Sequence, residues 1–505
     1  MGRPSTLPSF MDTTSYLDLS LQEDVLVHIL GMLDLLDIQR MRMVSKSMRA
    51  LVNTKIVWLN CLQRLNVPLP IMPPHLPDLS QPALEDLAAR AMHLDDNWRS
   101  MQPRPTSTRT IPLDSTVTQM AMCQGTLFTT HKDGSLRCWR DIESPLSTRE
   151  SSLHREDPRR FVTITPTSRI VQFTHLRVCA DSLRGGFILA YIGDGLDRRT
   201  HCGVFSIPVV SRHAPDSAVG CASDPQSLGH FDESKGAVAI SVSPTSVVVA
   251  GSGGAINIID IASGERHSAH VQVTPSHLCH GSDAIKILRL QVISEDAFLV
   301  LTSQAAMVYA IPSLHTPSAG MPVFVHTIPK ASSAWIQPPS PSSRDSMVTL
   351  LTTKGTVLQF SMTQDKDTMT WSVVQSLSRT ELESAEHTPF PYPVDRLSLT
   401  DMHWGTKRSV WVHWERGVDG WPLRVLGSNG FNILSGEAPP NVSPPRIEFR
   451  SLTSSETVDG ESELSELVEM CTRSVSMPKI CFDEGIGRLV MAGLASPSLV
   501  LCEFA

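Results

Sequence analysis

The chain is organised around residues Ser20–Arg64, which begin S-L-Q-E-D-V-L-V-H-I-L-G-M-L at Ser20. Ser20 and Glu23 have the spacing of a capping box, in which the serine hydroxyl accepts from the N–H of the glutamate and its carboxylate reaches back. The sequence therefore predicts that a helix begins here. An apolar stripe follows along this helix, formed by Leu21, Val25, Leu26, Ile29, Leu30 and Leu33.

Two further helices are predicted in the same stretch. Asp37 is a candidate N-cap for the second helix. Apolar residues that share one face of that helix follow it: Ile38, Met41, Val44, Met48 and Leu51. A third helix, from about Lys55 to Leu65, carries Ile56, Leu59 and Leu62. Three short helices in about 45 residues make only a marginal core, so we expect this module to use a partner.

This module resembles an F-box. The residues that carry the resemblance are Leu21, Glu23, Val25, Leu26, Ile29, Leu33, Asp37, Ile38, Val44, Ser45, Lys46, Leu51 and Trp58. Gln22 stands where the family usually has proline, and Met48 where an aromatic residue is usual. The resemblance implies docking to the Skp adaptor of a cullin–RING ubiquitin ligase. The side chains expected against the adaptor are Leu21, Val25, Leu26, Ile29, Leu30, Leu33, Ile38 and Val44. A three-helix bundle packed on its own domain is the alternative.

Composition limits the function classes. The 505 residues are 41% hydrophobic and 19% charged, which is typical of a globular protein. The net charge is −8 with no basic stripe, so nucleic-acid binding is not expected. Ten cysteines occur without a C-x-x-C pair, which favours buried reduced thiols in the cytoplasm and/or nucleus over zinc or disulfides. No apolar run is long enough for a membrane span, and the first residues have no apolar h-region, so neither a membrane span nor secretion is expected.

Four regions follow from the pattern along the chain: a disordered tail at 1–17, the F-box at 18–66, a Pro-rich linker and helix at 67–107, and a β-domain at 108–505. The helix is predicted over Ala83–Trp98, with Pro82 in its first turn. Its position is typical of a rigid strut; the alternative is that it packs on the next domain, and the two are compatible.

The β-domain is predicted from repeated apolar hairpins without helices between them. The hairpin strands are 127–130 with 135–139, 247–250 with 256–261, 299–302 with 307–310, 348–351 with 357–360, and 489–492 with 499–502, together with a strand at 410–414. Asp133-Gly134 is expected to supply the positive φ angles of a two-residue turn.

The run D-G-S-L-R-C-W from Asp133 resembles the end of a WD-repeat blade, with Arg140 in place of the family's aspartate. A second partial copy has Gly229-His230 upstream of Ile259-Asp260. The resemblance implies a degenerate WD-like β-propeller, for which we expect seven blades, with six or eight also open. The stretch Thr108–Leu113 is expected to form the outer strand of the last blade and so close the ring.

Other segments carry little chemistry. Solvated loops are expected at Ala331–Ser346, Ser378–Pro393 and Ser451–Glu469. The glycines at 251–254 are followed by a strand, so they predict a hairpin turn rather than a phosphate loop. His277, Cys279 and His280 lack a fourth ligand nearby, so no metal is expected. No catalytic motif occurs and no cofactor is predicted.

The fold class predicted is therefore multidomain, α then all-β: an F-box of three helices, a linker, and a C-terminal propeller. The function that this arrangement implies is non-catalytic: a substrate-recognition subunit that docks to the Skp adaptor and, through it, to cullin and RING subunits, and that binds a protein substrate through its propeller. The alternatives are a non-enzymatic propeller scaffold whose helical module binds another partner, and a propeller enzyme.

Overall fold

A computed structural model describes residues 23–33, 35–64, 69, 73–99, 105–139, 161–166, 168–181, 185–208, 225–233, 236–251, 254–270, 287–311, 321–337, 346–352, 357–365, 370–376, 398–404, 408–414, 423–429, 479–492 and 497–504. The chain divides into two compact units. The first comprises Met1–Val67 and Ile71–Met92, and the second comprises Pro68–Pro70 and His93–Ala505. The predicted Ser20 cap and the histidines near residue 280 lie outside the described residues.

The first unit is helical. Its helices are α1 (Glu23–Leu30), α2 (Leu35–Val44), α3 (Lys46–Val52), α4 (Lys55–Arg64), a 3-10 helix (Pro73–Asp78) and the first part of α5 (Gln81–Arg99). Each of these elements buries apolar side chains, namely Leu30, Leu35, Ile38, Val52, Val57, Trp58, Leu62, Leu76 and Leu84. The core of this unit thus extends beyond the stretch that resembles an F-box.

The prediction of a single second helix was wrong, because the chain breaks at Ser45. Ser45 is extended, with φ of −158°, and its Oγ accepts from the Met48 N–H at 3.1 Å, so it caps a new helix, α3. Asp37 was also wrongly predicted as an N-cap. Helix α2 begins two residues earlier, and Asp37 lies in its first turn, 2.9 Å from Arg40.

Helix α5 confirms the predicted helix, with Pro82 in its first turn. Its last residues, from His93 onward, belong to the second unit. There Trp98 is fully buried with its ring 5.4 Å from the rings of Phe482 and Phe504, and the Asn97 side chain donates to the Phe504 carbonyl at 2.8 Å. The expectation that this helix packs on the β-domain is confirmed at its C-terminal end.

The second unit is built from antiparallel strands. In chain order they are β1 (Ser107–Pro112); β2 (Val117–Cys123), β3 (Thr126–His131), β4 (Leu136–Trp139) and β5 (Phe161–Ile164); β6 (Ile170–Asp181), β7 (Gly186–Gly195), β8 (Thr200–Pro208) and β9 (Gln226–Glu233); β10 (Ala237–Val242), β11 (Ser246–Gly251), β12 (Ala255–Asp260) and β13 (Arg266–His270); β14 (Ile287–Val292), β15 (Ala297–Thr302), β16 (Ala305–Ala310) and β17 (Phe324–Thr327); β18 (Ala331–Gln337), β19 (Ser346–Thr352), β20 (Val357–Gln364) and β21 (Trp371–Ser376); β22 (Ser398–Trp404), β23 (Arg408–Trp414) and β24 (Leu423–Asn429); and β25 (Lys479–Asp483), β26 (Arg488–Ala492) and β27 (Ser498–Glu503).

Six sheets are formed by β2–β5, β6–β9, β10–β13, β14–β17, β18–β21 and β22–β24. Strand β1 joins β25–β27 in the seventh sheet. The described strands thus make seven sheets, six of four strands and one of three, which is a propeller-like arrangement. The blade count of the whole domain stays a prediction. Middle strands such as β11 and β15 are buried along their whole length, because neighbouring sheets cover both of their faces.

The predicted hairpins are confirmed, with two corrections. Ala331–Gln337 is strand β18, paired with β19, although its small and polar residues were interpreted as the start of a loop. The turn after β3 has one positive φ angle, at Gly134, rather than the two of a primed turn. Gly134 donates to the His131 carbonyl and the His131 N–H donates to Ser135, so a longer turn is closed with a single glycine in the left-handed region.

The predicted ring closure is also confirmed. Strand β1 pairs antiparallel with β27, from Ser107 opposite Glu503 to Pro112 opposite Ser498. Pro112 lacks a backbone N–H, and as the last residue of an outer strand it costs the sheet little. The first and last strands of the domain therefore complete one sheet.

The first hairpin contains a chain of buried hydrogen bonds. Trp139 Nε1 donates to Thr129 Oγ1 at 2.9 Å, and that oxygen lies 2.8 Å from His131 Nε2. His131 Nδ1 lies 3.2 Å from the Ser115 carbonyl, which can only accept, so the imidazole carries its proton on Nδ1. Burial, and then the Arg137 guanidinium, lower the pKa of His131 from 6.5 to about 4. The ring is therefore neutral at pH 7.

This histidine predicts a specific acid sensitivity. As the pH falls from about 6.5 to about 4, the unfolded chain binds a proton at His131 that the folded chain does not, so the free energy of unfolding falls by about 3 kcal/mol from this group. Urea unfolding of the full chain and of the His131→Gln variant, at pH 7 and at pH 4, measures this. We expect the variant to lose less stability than the parent over this range. Equal losses would show that His131 is not the group responsible.

Candidate functional site

The outward face of helix α1 is apolar. Val25 and Ile29 are 42% and 43% exposed, and because they are four residues apart they lie on the same face of the helix. Met32, just after the helix, is also exposed. Leu30 points the other way and is buried in the core of the unit. The helix therefore uses one side to hold the unit together and leaves an aliphatic surface on the other.

Helix α2 has the same two-sided character. Leu35 and Ile38 are buried, whereas Leu36, Met43 and Val44 are exposed, with Val44 at 66%. Leu36 is seven residues from Met43 and eight from Val44, which places all three on one face. Exposed aliphatic side chains at helical spacing, on two helices of a small unit, are typical of a surface that a protein partner covers.

The structure divides the predicted adaptor-binding residues into three groups. Val25, Ile29 and Val44 are exposed, and Leu26 and Leu33 are half-buried. Leu30 and Ile38 are buried within the unit, so their side chains form part of its own core in this structure. Leu21 lies outside the described residues. Which of them contact a partner stays a prediction.

On and beside helices α1 and α2, three exposed apolar residues were not predicted as part of this surface, namely Met32, Leu36 and Met43. The spacing of Leu36, Met43 and Val44 was available in the sequence. This spacing was missed because Ile38, Met41 and Met48 were interpreted as the apolar face of one uninterrupted helix.

The two faces are held in place by contacts behind them. Trp58 is fully buried in α4, and its Nε1 donates to the Val52 carbonyl at 3.0 Å. The Arg42 guanidinium lies 5.3 Å from the centroid of the Trp58 ring. Arg42 Nη2 also donates to Glu85 Oε2 at 2.6 Å, in a bidentate pair that joins α2 to the first part of α5.

Two of the cysteines are unsuited to act as nucleophiles. Burial raises the pKa of the Cys123 and Cys502 thiols to about 12, so both are protonated at neutral pH and poor nucleophiles. Within the described ranges no group of three metal-ligating side chains comes together. None of the helices in the described part of the chain has the length and apolarity needed to cross a bilayer.

One known protein family matches part of the chain in sequence. Residues 18–60 match the F-box domain family. The fold is similar to a chain in the crystal structure of the mitotic checkpoint complex, with 8% identity over 80% of this chain and 97% of that one, and a TM-score of 0.41. It is also similar to the Cps50 (Swd1) β-propeller domain of Myceliophteria thermophila, with 9% identity over 79% and 99% of the two chains and a TM-score of 0.44. No curated protein matches the chain in sequence. The family match shows an F-box domain at residues 18–60, and the sheets of the second unit form a propeller-like domain after it.

Proposed function

We propose that this protein is the substrate-recognition subunit of a Skp–cullin–F-box ubiquitin ligase. The observation that carries the proposal is the F-box domain at 18–60, whose helices α1 and α2 each present an exposed aliphatic face. F-box domains in general bind the Skp adaptor. Val25, Ile29 and Val44 are the proposed contacts, since a side chain must be exposed in the free protein to lose water on binding.

The binding energy would come from burying these faces. Each aliphatic side chain taken fully out of water contributes about 1.5–3 kcal/mol before the entropy costs of association, and these three begin partly exposed. The propeller-like domain would bind a protein substrate and hold it near the ubiquitin carrier recruited by the cullin and RING subunits. That arrangement raises an effective concentration and requires no catalytic residue in this chain. The complex would act in the cytoplasm and/or the nucleus.

Replacing Ile29 by aspartate tests the adaptor-binding surface. We expect the full chain to co-elute with the co-expressed Skp adaptor in size-exclusion chromatography, and the Ile29→Asp variant to elute without it, because a carboxylate on this face would lose its hydration. Ile56→Asp is the matched control, since Ile56 is a similarly exposed isoleucine on α4. Circular dichroism checks that both variants are folded.

Two outcomes would count against the proposal. Co-elution of Ile29→Asp and of Val25→Asp with the adaptor would remove the proposed surface. A folded parent chain that elutes alone would favour a scaffold whose helical unit binds another partner.

A further inference from the structure

Strand β17, the outer strand of the sheet β14–β17, exposes aliphatic side chains. Met321, Val323 and Val325 are 67%, 58% and 38% exposed, and they alternate along the chain. The Val323 N–H donates to the Val308 carbonyl at 2.8 Å, so the chain is already held against β16 one residue before β17 begins. Because side chains at alternate positions of a strand point to the same face, this edge of the sheet carries a short aliphatic row.

The opposite face of β17 is packed inside the domain. Phe324 and His326 are half-buried, and the His326 ring lies 5.5 Å from the ring of Phe360 on β20. Phe324 packs against a buried cluster that includes Val348 and Phe360 of the next sheet. The strand is therefore fixed from behind, and its aliphatic row is held in one orientation.

The backbone of β17 also has a free edge. Strand β17 pairs only with β16, with His326 opposite Ala306, and the Ile328 N–H donates to the Gln304 carbonyl at 2.9 Å. Alternate residues of an antiparallel strand bond to the same neighbour, so His326 bonds to β16 as Ile328 does. The N–H and C=O groups of Val325 and Thr327 consequently point away from the sheet, where a further strand could pair with them.

Other outer strands of the domain expose polar side chains instead. In their described parts, the exposed residues are Thr163 on β5, Gln226 and Ser227 on β9, and Arg266 and Ser268 on β13. Polar and charged side chains on outer strands discourage pairing with another chain. Strand β17 lacks this protection at its exposed positions until Thr327.

The charges around β17 suit pairing with a second copy of the same strand. Residues 311–329 contain no aspartate, glutamate, lysine or arginine, so two copies can meet here without like-charge repulsion. Exposed Glu295 and Asp296 lie at the end of the sheet where β17 begins, since the Ile311 N–H donates to the Asp296 carbonyl at 2.7 Å. Exposed Lys330 follows the other end. Antiparallel pairing of two copies would place the basic end of each strand on the same side as the acidic turn of the other.

We propose that β17 pairs antiparallel with β17 of a second copy of this chain, about a two-fold axis at Val325. The outward backbone groups of Val325 would bond to those of the second copy's Val325, and Val323 would lie opposite the second copy's Thr327. β-Branched side chains directly opposite one another stabilise such a pair, and each copy contributes the same patch, as a two-fold interface requires. The interface is separate from the F-box surface and does not depend on the proposed ligase function.

Sedimentation velocity of the full chain, with reductant present, tests this dimer. A single pair of short strands is smaller than the roughly 1,200–2,000 Å² of a stable interface, so the dimer should dissociate on dilution. We expect the weight-average mass to rise with concentration from that of one chain toward that of two. Val325→Lys should weaken association at least tenfold, because it places two lysines opposite each other. Thr163→Lys is the matched control on β5 and should associate like the parent.

A mixing experiment separates direct contact from an effect on folding. Val325→Glu alone should also stay monomeric, whereas an equimolar mixture of Val325→Lys and Val325→Glu should form dimers again, because the axis then joins opposite charges. A variant that had merely lost its fold would not recover on mixing. Thermal unfolding checks that all three variants have the midpoint of the parent.

Two results would overturn the proposal. One is a parent chain that stays monomeric at every concentration, whether the edge of β17 is then empty or is taken by a strand of another protein. The other is a parent dimer that persists unchanged in Val325→Lys, which would place the self-contact on another surface.

Discussion

Replacing Trp58 by alanine is expected to unfold the helical unit and to abolish any binding that depends on it. Trp58 has no exposed surface, its Nε1 donates to the Val52 carbonyl at 3.0 Å, and the Arg42 guanidinium packs over its ring. Truncation of a buried tryptophan to alanine costs about 3–5 kcal/mol, through lost burial and the cavity that remains. A unit of this size has a small core, so a loss of this magnitude approaches its whole stability.

The measurement is urea unfolding of the full chain followed by far-UV circular dichroism at 222 nm, where the helical signal is read against a mainly β background. Ile56→Ala, two residues earlier on the same helix but exposed, should shift the helical transition little. An unchanged transition for Trp58→Ala would mean that the helices are held by something other than this core.

Replacing Arg488 by methionine is expected to destabilise the closed ring by about 3 kcal/mol. The Arg488 side chain is 3% exposed, and its Nε donates to Glu503 Oε1 at 2.7 Å on the neighbouring strand β27. Its Nη1 donates to the Gly125 carbonyl at 3.2 Å, in the turn between β2 and β3. The arginine thus joins the last sheet to the first. Removing the arginine leaves the Glu503 carboxylate, whose side chain is 26% exposed, without its partner, and it also removes the hydrogen bond to the Gly125 carbonyl.

A double-mutant cycle separates this effect from lost packing. Arg488→Met combined with Glu503→Gln should lose less stability than the sum of the two single variants, because each single variant leaves one charge of the pair alone and the double variant leaves none. Arg40→Met removes an exposed ion pair of α2, 2.9 Å from Asp37, and should cost less than about 1 kcal/mol. Thermal unfolding with near-UV detection measures all four. Strict additivity of the Arg488 and Glu503 variants would contradict the proposed coupling.

The parts of the fold that sequence could predict are those set by neighbours along the chain. The hairpin of β11 and β12 follows from two apolar runs separated by glycines, and the closing strand β1 follows from an extended stretch that has no partner nearby in sequence. The aliphatic face of α1 follows in the same way from the four-residue spacing of Val25 and Ile29. Each is specified by a local period or turn, which the sequence carries directly.

The parts of the fold that could not be predicted depend on local hydrogen bonds that compete with the helical period, or on contacts between residues that are far apart in the sequence. Ser45 ends one helix and caps the next, because its hydroxyl accepts from a backbone N–H in the first turn of α3. The apolar period continues through this position, so it does not reveal the break. Burial divides the predicted adaptor residues, since Leu30 and Ile38 are buried in a unit that also includes α4 and the first part of α5. The contacts of Arg488 and Asp483 with Gly125 join residues more than 350 positions apart. No pattern within a single segment contains that information.

The pairing of β1 with β27 can form only after nearly all of the domain has been synthesised. Thr106 and Glu503, which meet at one end of this pair, are 397 residues apart. At about 5–20 residues per second, the ribosome needs roughly 20–80 s to make the chain between them. Throughout that interval β1 has no strand to pair with, and the growing row of sheets has open, apolar ends. The nascent chain is therefore exposed to chaperones and to aggregation until its final strand emerges, and a premature stop codon shortly before β27 would release a domain that cannot close.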